Sequence, residues 1–306
     1  MAAFTSFKRE ALDRYLIMYE LGELSHFEPI AEGIENSNYF VTLKNGETLD
    51  EYVLTITESL SFEEVPFFNT LMAKLFRHGL PVPDPQRTLD GMSSTIFCGK
   101  PTWLFTKLPG KHPTQVTSDH CFSIGSKLAE LHEAAQGLQY TRSNPYSSEW
   151  VNQTLSSIDS KFEASDLLLL IEIAGQYAEF DQATELPRGI IHGDLFKDNT
   201  LFLNDELTGI IDFYHACDDV LIQDLAIAIN DWCMTQQGTI DEGLRDSLLK
   251  GYESMRKLTE FEMDALPMFQ RFAALRFLLT RFISGEDDTP LKDPHEFLRL
   301  IKNLSV

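Results

Sequence analysis

Residues 189–203 read Gly-Ile-Ile-His-Gly-Asp-Leu-Phe-Lys-Asp-Asn-Thr-Leu-Phe-Leu, and a further apolar pair, Ile210-Ile211, runs into Asp212. No other stretch constrains the fold as tightly. Short apolar runs bounded by turn residues are the pattern of buried strands, and the polar loops they hold are where chemistry is usually placed. Asp194 and Asn199 are five residues apart on the loop, and Asp212 lies eighteen beyond Asp194. Two carboxylates and an amide at strand ends suit a hard cation such as magnesium, which takes oxygen ligands and keeps waters or phosphates in its other positions. One carboxylate is then left for a proton. In phosphoryl transfer to a hydroxyl, an Asp orients the acceptor while an Asn and a second Asp hold the metal. The assignment that follows is Asp194 as base and Asn199 and Asp212 as metal ligands.

His192-x-Asp194-x-x-x-x-Asn199, followed by Ile211-Asp212-Phe213-Tyr214, resembles the catalytic and metal-binding loops of the protein-kinase-like small-molecule kinases, the aminoglycoside and choline kinase group. The local variant looks most like the homoserine kinases of that group. Phe213-Tyr214-x-Ala216-Cys217, Ala228–Cys233 and Ala274–Arg281 extend the likeness. The resemblance implies an α+β, bilobal protein-kinase-like fold: a small antiparallel-sheet N-terminal lobe with a helix, residues 1–108, and a larger, mostly helical C-terminal lobe, residues 109–306. It implies ATP and Mg2+ as cofactors, Gly33, Ser37 and Asn38 as the phosphate loop, and Lys197 facing the transferred charge. Asp224, followed by Leu225-Ala226, takes the part of a brace for the catalytic loop, with His192 as structural support. One departure stands out. The strand expected to carry a phosphate-binding lysine reads Leu54-Thr55-Ile56, which puts more of the neutralisation on the metal.

The implied reaction is ATP-dependent phosphorylation of the hydroxyl of L-homoserine, a step towards threonine. A substrate carboxylate is best matched by a guanidinium, so Arg276 and Arg281 are the candidates, and Asp219 or Asp231 is the candidate for the ammonium. The alternatives are a kinase of the same fold for another amino alcohol or an aminoglycoside, and, from a different class, a non-catalytic nucleotide-binding module motivated by Thr55.

The chain has 25 Lys plus Arg against 47 Asp plus Glu, a net charge of −22, which repels polyanions and removes nucleic acid from the expected partners. Cys98, Cys121, Cys217 and Cys233 are scattered without metal-ligand spacing and read as reduced thiols. The N-terminus lacks the apolar core of a signal peptide, and the apolar stretches are broken by charges before they reach membrane-spanning length. A cytoplasmic protein is the expectation, with no membrane partner.

Along the chain, periodicity predicts a helix near 8–21 ending at Gly22, a hairpin of Tyr39–Leu43 and Tyr52–Thr57 turning at Asn45-Gly46, and a helix over 62–78. Strands follow at 95–98 and 103–108, then a helix from Thr117, a polar loop at Asn144–Ser148, and a helix over 165–180. Beyond the catalytic strand come helices at 220–233, 241–256 and 260–284, and a short one ending near Leu304.

Overall fold

The computed structural model describes residues 4–31, 35–180, 185–284 and 293–304, and the chain divides into two compact units. Unit 1 is Met1–Gly110, Gly137–Tyr140 and Thr208–Tyr214; unit 2 is Lys111–Gln136, Thr141–Leu207 and His215–Val306.

Unit 1 is built on a five-stranded antiparallel sheet of β1 (Glu23–Pro29), β2 (Asn36–Asn45), β3 (Thr48–Thr57), β4 (Thr95–Phe97) and β5 (Lys100–Thr106), in the order β1-β2-β3-β5-β4. Tyr39, Val41 and Leu43 alternate into the core with Leu54 and Ile56 of the facing strand, the period of two that a sheet with one covered face requires. Leu12, Tyr15, Leu16 and Tyr19, from α1 (Arg9–Leu16) and the turn after it, join that cluster. Helix α2 (Val65–Arg77) buries Phe67, Phe68, Leu71, Met72 and Leu75.

Two expectations are corrected here. Periodicity does not announce β1, because its exposed residues interrupt the alternation. The hairpin turn is centred one residue later than expected: Asn45 pairs with Thr48, leaving Gly46 and Glu47 as the loop.

The division expected at 108/109 falls two residues before Gly110, but the second domain is not continuous. Thr208–Tyr214, which carries Asp212, belongs to unit 1. Its ties explain why. The Ile210 N–H donates to the Pro81 carbonyl at 2.7 Å, the Thr208 hydroxyl donates to the Pro109 carbonyl at 2.5 Å, and Tyr214 packs against Phe68 and Trp103.

Unit 2 is mostly helical. Helix α3 (Ser118–Ala134) begins at Thr117, whose side chain accepts from the His120 N–H, as a capping residue should. Helix α4 (Ser148–Ser157), which the sequence does not announce, and α5 (Ala164–Phe180) lead to β6 (Arg188–Ile191). A short hairpin of β7 (Thr200–Leu203) and β8 (Glu206–Ile210) follows, its second strand passing from unit 2 to unit 1 at Thr208, then β9 (Cys217–Val220), antiparallel to β6. Helices α6 (Leu221–Trp232), α7 (Glu242–Met255), α8 (Glu260–Ser284) and α9 (His295–Asn303) complete the chain. All of α6 except Asp231 is buried, so it is the axis around which the others pack. Helix α8 starts with a capping box: Thr259 N–H and hydroxyl donate to Glu262 at 2.9 and 3.0 Å, and the Glu262 N–H returns a bond to the Thr259 hydroxyl at 3.1 Å. Among the described residues no helix is long and apolar enough to cross a membrane.

Candidate active site

In unit 2 the strand β6 delivers His192 to Asn199 into a loop whose backbone polar groups are held one after another. The N–H groups of His192 and Gly193 donate to the two oxygens of Asp224 at 2.7 and 2.9 Å. The Gly193 carbonyl accepts from the Arg276 guanidinium, and the Leu195 carbonyl accepts from Trp232 Nε1 at 3.1 Å. The Asp194 N–H donates to His192 Nδ1 at 3.2 Å, and the Lys197 N–H donates to Asp231 at 2.8 Å. Gly193 has φ +76°, and a Cβ there would lie 2.7 Å from the His215 carbonyl oxygen, so only glycine fits the turn. A loop with so few free backbone groups places its side chains without choice.

Asn199 and Asp194 meet directly. Asn199 Nδ2 donates at 2.8 Å both to the Asp194 carbonyl and to its carboxylate Oδ2. Both partners are acceptors, so the amide has one orientation, and Oδ1 points away from Asp194. Lys197 Nζ is 3.8 Å from Asp231 and one-third exposed.

Asp224 is wholly buried, which alone would push its carboxyl up; hydrogen bonds from His132 and the charge of His132 and His192, with the His192 N–H, hold it below the ordinary carboxylate range instead. His132 links Asp224 (3.1 Å) to the Tyr252 hydroxyl (2.8 Å), and Arg256 donates to that hydroxyl and to Glu262 at 3.2 and 2.8 Å. A buried polar chain thus runs from the catalytic loop to the start of α8. The sequence signals Asp224, but nothing local marks His132, Tyr252 or Arg256 as the continuation of its network.

Unit 1 holds the other expected residues. Asp212 adopts φ +62°, a left-handed conformation rare for a residue with a Cβ and found where a site requires it. Thr55, in the place of the expected lysine, donates to Asn38 Oδ1 at 2.7 Å and shares a hydrogen bond with Tyr214. Burial, then the Asp212 charge, pushes the Tyr214 phenol up, and the hydrogen bond with Thr55 opposes that shift. With Oδ1 accepting from Thr55, the Asn38 amide has its N–H groups as donors.

Other expectations are corrected. The Ser37 hydroxyl accepts from the N–H groups of Phe4 and Thr5 (2.9 and 2.8 Å) and donates to Glu58, all in a buried position, so it has nothing left for a phosphate. Alternation along β2 explains the difference: Ser37 and Asn38 point to opposite faces. Gly33 lies outside the described residues. Asp219 accepts from Asn144 (2.5 Å), Arg188 (3.3 Å) and the Val220 N–H (2.7 Å), and Asp231 from Lys197, so both candidates for a substrate ammonium are engaged in holding strands and loop. Arg281 is paired with Glu296 at 2.7 Å over the Phe297 ring. Of the two arginines, Arg276 is the one that reaches the catalytic loop.

Among the described residues no three His, Cys, Asp or Glu side chains gather as a metal site by themselves. A cation shared with nucleotide phosphates needs fewer protein oxygens; Asn199 Oδ1 in unit 2 and the Asp212 carboxylate in unit 1 are each of the hard kind that such a cation prefers.

The sequence matches the Phosphotransferase enzyme family over residues 26–258. A homoserine kinase of Pseudomonas aeruginosa is 37% identical over 312 residues, covering 100% of this chain and 98% of its own length. One from Rhizobium meliloti is 37% identical, covering 99% and 94%. Among solved structures, an amicoumacin kinase in complex with AMP-PNP and Ca2+ superposes with a TM-score of 0.74 at 17% identity, covering 98% of this chain and 93% of that one. A choline kinase from Cryptosporidium parvum gives 0.66 at 14%, covering 97% and 95%. The fold is therefore protein-kinase-like, and the chain belongs to the phosphotransferase enzyme family, in the branch that holds these homoserine kinases.

Proposed function

We propose that the protein transfers the γ-phosphoryl group of ATP to the side-chain hydroxyl of L-homoserine, giving ADP and O-phospho-L-homoserine for threonine synthesis in the cytoplasm. The observation that carries this reading is the Asp194–Asn199 pair on a fully braced loop, in a chain 37% identical over its whole length to homoserine kinases. Asp194 orients the hydroxyl and takes its proton as the oxygen bonds to the γ-phosphorus and the bond to ADP breaks. Asn199 Oδ1 and Asp212 are the oxygens for Mg2+, which when bound neutralises charge on the phosphates. Lys197, fixed through Asp231, presents its ammonium towards the transferred group. Asn38 offers its amide N–H groups to the phosphates in place of a lysine. The protein's share is positioning and electrostatics rather than covalent chemistry.

The test is ADP release with homoserine, choline, ethanolamine and an aminoglycoside as acceptors. Homoserine is expected to give the highest kcat/KM; no turnover with it overturns the reading. Asp194→Asn and Asp212→Asn are each expected to lower kcat at least about 1000-fold with unchanged circular dichroism.

A further inference from the structure

Arg276 is only 6% exposed, yet among the described residues no carboxylate pairs with it. One terminal nitrogen serves the Gly193 carbonyl, the guanidinium stacks between Tyr146 and Phe277 with its carbon 4.0 and 4.2 Å from the ring centroids, and Nε is buried without a hydrogen-bond partner. A buried cation without a counter-charge is costly and is retained where a bound anion completes it. Gln223, on α6, is also buried, and its Oε1 is an acceptor with no donor.

These two side chains line the same recess of unit 2, together with Gly193 and, at its half-buried mouth, Asn144, Tyr146 and His215. The recess is small, with room for about one water, so it admits the polar atoms at the end of a ligand rather than a whole molecule. Gly193 precedes Asp194, so a group anchored here lies one residue along the chain from the base. An unpaired guanidinium and an unpaired amide oxygen in one recess complement a carboxylate and an ammonium on adjacent atoms.

We propose that this recess is the head-group site for an α-amino acid: Arg276 binds the substrate carboxylate and the Gln223 carbonyl oxygen accepts from its ammonium. This rests on the kinase reading above and adds the residues that select the acceptor.

The probes are L-homoserine, 3-amino-1-propanol (the same molecule without its carboxylate) and 4-hydroxybutyrate (the same molecule without its ammonium), with ADP release as readout. For the unmodified enzyme, kcat/KM for homoserine is expected to exceed that for either analogue by about 100-fold or more, as the loss of one partner of a buried charged pair costs. Arg276→Gln is expected to collapse the preference over 3-amino-1-propanol towards unity, mainly through the KM for homoserine, and Arg276→Lys to restore part of it. Gln223→Met should narrow the preference over 4-hydroxybutyrate instead. Equal turnover of homoserine and 3-amino-1-propanol by the unmodified enzyme overturns the proposal without any variant. So does an Arg276→Gln enzyme whose preference persists while all rates fall together, which would make Arg276 a brace for Gly193 only. A crystal of the homoserine complex showing an ordered water between Arg276 and Gln223, with the amino acid elsewhere, overturns it as well. No turnover of homoserine at all refutes the kinase reading itself and is thereby distinguished from these.

Discussion

Thr55 shows how a single residue changes what its neighbours must do. A lysine there would supply a charge; the threonine supplies only a link, hydrogen-bonded to Tyr214 and donating to Asn38 Oδ1. Chains of hydrogen bonds polarise one another, so the relay both orients the Asn38 amide and strengthens it as a donor. Thr55→Val keeps the shape and breaks the relay, and KM for ATP is expected to rise about fivefold, the worth of one hydrogen bond, with kcat for homoserine changed less; steady-state kinetics at saturating homoserine measures it. Asp224 carries a larger load. Asp224→Asn puts an amide group opposite two backbone N–H donors, and the loss expected from urea unfolding at pH 7 is about 3 to 5 kcal/mol. The pH dependence has a definite sign. Because the folded carboxyl lies below its ordinary value, its contribution is complete above the unfolded value of about 3.9 and is lost as the pH falls through the lower folded value. The gap between the parent protein and Asp224→Asn should therefore shrink below about pH 4. Asp194, Asn199 and Asp212, the residues proposed for the chemistry, could be picked out in the sequence because their spacing is local to one loop and the next strand end. The fates of Ser37, Asp219, Asp231 and Arg281 were not, since each is decided by a partner from a distant segment.

At the scale of elements, α3 and α7 approach so closely that only glycine fits at two facing points. A Cβ on Gly125 would lie 2.0 Å from the Leu248 carbonyl oxygen, and one on Gly251 would lie 2.1 Å from that of Phe122. The close approach brings His132 on one helix to Tyr252 on the other, and so supports Asp224 from behind. Gly251→Ala is expected to cost about 1 to 3 kcal/mol through forced separation of the helices. Gly175→Ala, on α5 with nothing within 4 Å of its Cβ, should be neutral or gain up to about 1 kcal/mol; paired thermal melts compare them. Helix α2, with its apolar stripe, and α6, apolar on most sides, could be read from the sequence pattern alone. β1 and α4 could not, because their burial comes from partners rather than from a pattern of their own.

At the scale of the molecule, the chain carries a net charge of −22 and so repels a polyphosphate from a distance. With a neutral Thr55 in place of the expected lysine, divalent metal should be strictly required: EDTA is expected to abolish turnover and excess Mg2+ to restore it. Each unit has its own apolar core, so the melting midpoint without nucleotide should not move on chelation, as calorimetry would show. The sequence by itself determined the strand–loop–strand frame and the helices whose apolar faces repeat, and it singled out three polar residues for the proposed phosphoryl-transfer chemistry, because each of these is written within a few turns or strand lengths of chain. The tertiary structure decided that Asp212 folds with unit 1, that Asp224 is held by His132, and that Arg276 rather than Arg281, Asp219 or Asp231 is left with charge to offer. Those outcomes depend on which side chains from distant segments satisfy one another's hydrogen bonds, and burial makes that a choice among partners that no local spacing encodes.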